Sequence, residues 1–175
     1  MYTFTFKNND VLTLKAFKHS AFASQETHCF EASVHLNGKK IGVVSNQGHG
    51  GCDDFWGNKG VSRKVWSDLD LRYREDAPKW HFDHDDSWND NTLEIWCCDQ
   101  VNKFLAHKDF KRLMKSKVCF TKPKSDNPKA IYSLGFKGVR NISQQHIDHI
   151  KAKNKDIMIL NEMPQEQALA LWMEN

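Results

Sequence analysis

The chain opens on two short runs in which apolar and polar residues alternate, residues 2 to 6 (YTFTF) and 11 to 17 (VLTLKAF), separated by Asn8, Asn9 and Asp10. Period-two alternation interrupted by a turn-forming cluster predicts two strands joined as a hairpin. A second hairpin is more strongly specified. In HCFEASVHLNGKKIGVVSNQGHGGC, residues 28 to 52, Asn37-Gly38 is the dipeptide that best tolerates the two positive φ angles of a two-residue type I′ turn. Pairing Leu36 with Lys39 across that turn predicts Val34 opposite Ile41, Ala32 opposite Val43 and Phe30 opposite Ser45 on one face. Glu31, Ser33 and His35 then share the other face with Lys40, Gly42 and Val44. One face is oily and the other mostly polar, as expected of an antiparallel sheet covered on one side.

The period then lengthens. Ser62 to Glu75 reads as a helix through Val65, Leu69 and Arg72, although its apolar stripe is thin. Leu93, Trp96, Cys97, Gln100, Val101, Phe104 and Leu105 follow i, i+3, i+4 spacing behind Asn91 as the expected N-cap, with Phe110, Leu113 and Met114 as a continuation or a short second helix. Two more strands, Lys117 to Thr121 and Ala130 to Phe136, flank a proline-containing basic loop. Ser143 caps an expected helix from Gln144 to about Lys153, Ile157 to Leu160 is a short apolar strand, and a last helix starts at Pro164 and buries Ala168, Leu171 and Trp172. The expected fold is α+β: an antiparallel sheet with N-terminal β-hairpins packed against helices on one face, in one domain spanning residues 1 to 175.

Composition narrows the class of protein. Eleven Phe and six Trp in 175 residues are too many for a disordered chain, and no apolar run is long enough for a membrane span. The N-terminus lacks the unbroken apolar core of a signal peptide, which points to a cytosol, and five cysteines without a CxxC pair fit free thiols in a reducing compartment. The net charge of +3 conceals an asymmetry: residues 101 to 175 hold 14 Lys and Arg against 7 Asp and Glu, while residues 1 to 100 hold 11 against 15. Lys111, Arg112, Lys115, Lys117, Lys122, Lys124 and Lys129 are therefore the candidate contacts to nucleic acid phosphates, set against the simpler reading of a solvated basic face.

Three pairs have chelate spacing: His49 with Cys52, His81 with His84, and His146 with His149. Zinc takes about four converging nitrogen or sulfur ligands, and His49, Cys52, His81 and His84 supply that set if the long loop from Asp76 to Asn91 folds back on the glycine-rich one. The carboxylates of HFDHDD, residues 81 to 86, would then suit a metal-dependent hydrolase or nuclease. The order matches no HExxH-type motif, and solvated loop histidines are the plainer explanation. The glycines of GHGG, residues 48 to 51, could present amides to an anion, but they lack the lysine of a P-loop, and turn geometry explains them more simply. No catalytic set emerges: Cys97 and Cys119 read as core residues. Trp80, Phe82 and Trp88, in a polar loop, are candidate anchors for a protein partner.

The string SAFASQETHCFEASVHLNGKKIGVVSNQGHGGCDD, from residue 20 onward, resembles small tailed-bacteriophage proteins of no established activity that share an ET, NGK, IG, SN, GHGG pattern; ILNEMPQEQALAL near the C-terminus resembles them too. The resemblance implies an accessory protein acting in an infected bacterial cytosol. By analogy with such proteins, the expected function is non-enzymatic binding to a host macromolecule, as an inhibitor of a host or defence enzyme. Nucleic-acid binding and a metal-dependent hydrolase are the alternatives. The hairpin explains itself; the loop from Asn46 to Asp54, with His49 and Cys52, does not.

Overall fold

The computed structural model describes residues 2–78 and 91–173. Its fold is α+β. Five strands, β1 (Thr3–Thr5), β2 (Val11–His19), β3 (Cys29–Leu36), β4 (Lys39–Gln47) and β5 (Asp54–Gly57), form an antiparallel sheet in sequence order. Helices α1 (Lys64–Asp76) and α2 (Leu93–Ser116) follow. A second, three-stranded antiparallel sheet has β6 (Val118–Thr121) between β7 (Ile131–Leu134) and β8 (Met158–Ile159), with α3 (Gln144–Lys153) inserted before β8 and α4 (Gln165–Met173) after it. The chain divides into two compact units at Phe104/Leu105, within α2.

In the first unit the Asn37-Gly38 turn has φ of 50° and 80°, and Leu36 pairs with Lys39 as expected. Beyond the first two pairs the register departs from the alternation. Ile41 is an extra residue: His35 pairs with Lys40, but Val34 pairs with Gly42, Ala32 with Val44 and Phe30 with Asn46. A β-bulge of this kind flips every later side chain to the opposite face. Val44 is therefore fully buried where the uninterrupted pattern put it outside, Val43 moves outward, and Asn46 turns in. Ile41 stays inside because it precedes the flip. Gly42 has no room for a side chain, since a Cβ there would lie 2.5 Å from the Trp56 carbonyl oxygen and 2.6 Å from the Phe55 ring.

Strand β5 has no counterpart in the sequence reading, because four residues carry too little alternation to register. It pairs Val44 with Phe55, whose ring stacks on Trp66 of α1 at 5.0 Å. The buried stripe of α1 is Leu69 and Tyr73, with Tyr73 edge-on to Phe4 at 4.6 Å; Arg72 leaves the stripe to bond Asp10 at 2.7 Å. Asp10 also accepts hydrogen bonds from Asn37 and Asn8, and these three partners hold its carboxyl at about 2. One carboxylate thereby fastens both hairpin turns to α1.

Helix α2 is continuous through Phe110 to Met114, and its cap is Thr92, not Asn91. The Thr92 hydroxyl accepts the Ile95 amide at 3.2 Å, and Asp70 of α1 accepts the Leu93 amide at 2.8 Å. Replacing Thr92 with alanine is expected to cost about 1 kcal/mol in urea unfolding, the usual value of an N-cap hydroxyl.

In the second unit, β6 is buried along its whole length. Val118 and Phe120 face Ile147 and Ile150 of α3, and Cys119 packs with Phe110, Leu160 and Ala168. Helix α3 has the expected limits, and its capping box pairs the Ser143 amide with His146 Nδ1 at 3.0 Å. The expected strand at Ile157 to Leu160 shortens to Met158–Ile159, because Leu160–Glu162 winds into a 3-10 turn whose Asn161 accepts the Cys119 amide. No described helix is long and apolar enough to cross a membrane.

Candidate functional site

The inward turn of Asn46 builds the loop that the hairpin left unexplained. Asn46 is 7% exposed, and its amide group is saturated. Its Oδ1 accepts from the Thr27 hydroxyl and from the Gly48 amide, both at 2.8 Å, while its Nδ2 donates to the Gly51 carbonyl at 2.8 Å and to Asp53 Oδ1 at 3.1 Å. The Gly48 carbonyl in turn accepts from the amides of Gln25, Glu26 and Thr27. Loops 20–28 and 46–53 are thus stitched into one platform.

The glycines serve that contact. Gly48, at φ 87°, lies so close to the Ala23 carbonyl that a Cβ would be 2.1 Å from its oxygen. The Gly48 amide is taken by Asn46 and the Gly50 amide faces the Thr27 hydroxyl at 3.4 Å, so neither is left for an anion. The segments Glu26-Thr27, Ser45-Asn46 and Gly48-His49-Gly50-Gly51 are the parts that meet here.

Two surfaces of the platform differ in chemistry. On one side, the loop from Ser20 carries Phe22, which is 99% exposed. Its backbone is held nonetheless: Ser24 Oγ donates to the Ser20 carbonyl at 2.8 Å and accepts the Cys29 amide at 2.9 Å. Ser20 and Ala23 line a groove of about 530 Å³ with His19, Cys29, Phe30, Gln47 and His49.

On the other side is a cavity of about 250 Å³ lined by Thr27, His28, Phe30, Asn46, Asp53, Glu94, Ile95 and Cys98. Asp53 and Glu94 also line an adjoining hollow of about 340 Å³ with Trp66, Asp70 and Arg74. Asp53 Oδ1 is held by Asn46, but its buried Oδ2 has no hydrogen-bond partner. Burial lifts the Asp53 carboxyl to about 6 against the opposing Asn46 bond, and the negative charges of Glu94 and Asp54 push the same way as burial. His28 lies on this wall with Nε2 2.8 Å from Asn102 Oδ1. Burial raises the thiols of Cys98 and Cys97 above their ordinary values, so neither is an activated nucleophile.

The residues singled out from the sequence fall only partly within the described residues. His49 Nδ1 is 3.2 Å from Gln25 Oε1 at the exposed loop tip, and Cys52 is exposed. His81 and His84 lie outside the described residues, as do Trp80, Phe82 and Trp88. Among the described residues, no group of three or more His, Cys, Asp or Glu side chains is placed to hold a metal ion. His146 is engaged in its capping box, which leaves the His146/His149 pair a structural role.

The basic residues occupy two settings in the second unit. Lys111 and Lys115 line a hollow with Phe110, Asn161 and Met163, and Arg112 pairs with Asp109. Lys117 immediately precedes β6. Lys122, Lys124 and Lys129 are on the β6–β7 loop, with Lys124 paired to Asp156 and Lys122 over the Tyr132 ring at 4.9 Å.

Neither Asp53 nor Phe22 stood out in the sequence. The signal for Asp53 was its place at the end of a glycine-rich loop beside an inward-facing Asn46, which only the bulged register reveals. Phe22 had no periodic context at all. No protein-family model, no curated protein and no solved structure matches the chain.

Proposed function

We propose that this chain is a phage-type accessory binding protein that docks on a protein of the host bacterium, as an inhibitor of a host or defence enzyme. The observation that carries the reading is Phe22. A fully exposed phenylalanine on a backbone pinned by Ser24 and by the Gly48 carbonyl is an aromatic anchor presented with little conformational entropy left to lose. The neighbouring groove gives a partner a concave surface beside that anchor. The phage-like string spans this platform, which supports the same assignment.

Photo-crosslinking tests the reading. A benzophenone side chain at position 22 is expected to give one discrete adduct in host lysate, competed by the native protein and about tenfold less well by Phe22→Ala. Phe22→Ala is expected to keep its unfolding midpoint, because the ring buries nothing. No adduct, or equal competition by the variant, would overturn the proposal.

A second reading, nucleic-acid binding, is favoured by the charge of residues 105–175, which carry 13 Lys and Arg against 7 Asp and Glu, and by the half-exposed Tyr132 beneath Lys122. Loss of an adduct or of retention on nuclease treatment would favour it over protein docking.

A further inference from the structure

We propose that the cavity between loop 46–53 and the start of α2 binds an organic cation, a guanidinium or primary ammonium group on a short carbon stem, between Asp53 and Glu94. The reading stands apart from the docking role of Phe22.

Three observations carry it. The first is the unpartnered Asp53 Oδ2. Buried carboxylate oxygens nearly always have a donor, and here none is supplied: Asn46 has spent both amide hydrogens on Gly51 and Asp53 Oδ1, and the nearby Glu94 is an acceptor. The second is uncompensated charge. Among the described residues no lysine or arginine lines the 250 Å³ cavity, and the arginine of the adjoining hollow, Arg74, is bonded to Asp70 at 2.8 Å. Asp70 spends its other oxygen on the Leu93 amide, so the buried carboxylate oxygen left without a hydrogen bond is Asp53 Oδ2, with the exposed Glu94 carboxylate on the same cavity. The third is the shape of the lining. Phe30 and Ile95 give apolar walls for a carbon stem, which a bare metal ion would not use, and the described residues offer no three-ligand metal set. A planar guanidinium has several donors in a fixed fork and meets carboxylates with two parallel hydrogen bonds.

Such a group has two sources, a free small amine or an arginine side chain of a docked protein, and calorimetric titration of the full chain separates them. Agmatine serves as the free guanidinium, and N-acetyl-arginine-amide as the side chain in a peptide setting. N-acetyl-citrulline-amide is the neutral match. Saturable binding of agmatine alone points to a small molecule; binding of both guanidinium compounds points to a partner's arginine. In either case the citrulline compound is expected to be inert, and Asp53→Asn and Glu94→Gln are each expected to weaken binding about tenfold or more. Both variants keep the side-chain shape, and circular dichroism verifies their fold. Absence of binding by both guanidinium compounds, equal binding of the citrulline compound, or native-like affinity in both variants would overturn the proposal.

Discussion

Replacing Asn46 with alanine is expected to destabilise the protein by about 2–4 kcal/mol in urea or thermal unfolding, the largest single-residue loss outside the aliphatic core. Truncation removes all four hydrogen bonds of a saturated amide. It also leaves the Gly48 amide, itself buried, without an acceptor. A buried donor left unmade costs more than the net value of the bond it replaces. The damage should be local as well as global. Loop 20–28 is held largely through Gly48, so amides of Gln25, Glu26 and Thr27 are expected to lose hydrogen-exchange protection well before those of β2 and β3. Uniform loss of protection, or a change below about 1 kcal/mol, would show that the platform does not depend on this side chain.

The opposite sign is expected at Asp53. Carrying its carboxyl from 3.8 to about 6 corresponds to a cost of at most about 3 kcal/mol for the ionised folded state. Solvent at the partly exposed side chain reduces this to about 1–2 kcal/mol. The folded state holds the proton more tightly than the unfolded chain. The cost is therefore fully present above pH 6 and disappears as the pH falls through 6 toward 3.8, where both states become protonated. Asp53→Asn keeps an oxygen for the Asn46 amide and removes the charge. It is expected to stabilise the protein by about 1–2 kcal/mol at pH 8 and to lose that advantage near pH 4. Unfolding free energies measured across this range check it; a variant less stable than the native chain at pH 8 would mean the Asp53 charge has a partner. A residue kept at a cost to folding fits a place where binding sets the requirement.

Much of the architecture was legible because local rules act alone there. Asn37-Gly38 needs no tertiary help to make its turn, and the i, i+3, i+4 spacing from Leu93 outlines α2 even where α2 crosses from one unit to the other. What escaped were features decided by packing. Nothing in KKIGVVSN announces that Ile41 is unpaired, because Ile41, Val43 and Val44 are equally apolar; burial against Phe55 selects the register. Strand β5 was hidden because its four residues carry too little alternation. Chelate spacing points to His49 and Cys52, whereas the structure gathers a buried polar cluster at Asn46 and Asp53 that depends on the bulged register.

The bulge at Ile41 also makes β4 a strand written in two phases. From Lys39 to Lys40 it obeys the hairpin turn, and from Gly42 to Gln47 it obeys the loop platform, with one unpaired residue as the shift between them. Gain of a single codon between the turn and Gly42, with the one bulge kept, would leave the turn intact and every side chain individually acceptable. It would nonetheless point Asn46 at solvent and bring Ser45 into its place. The length of this strand is therefore as much a determinant of the platform as any side chain on it.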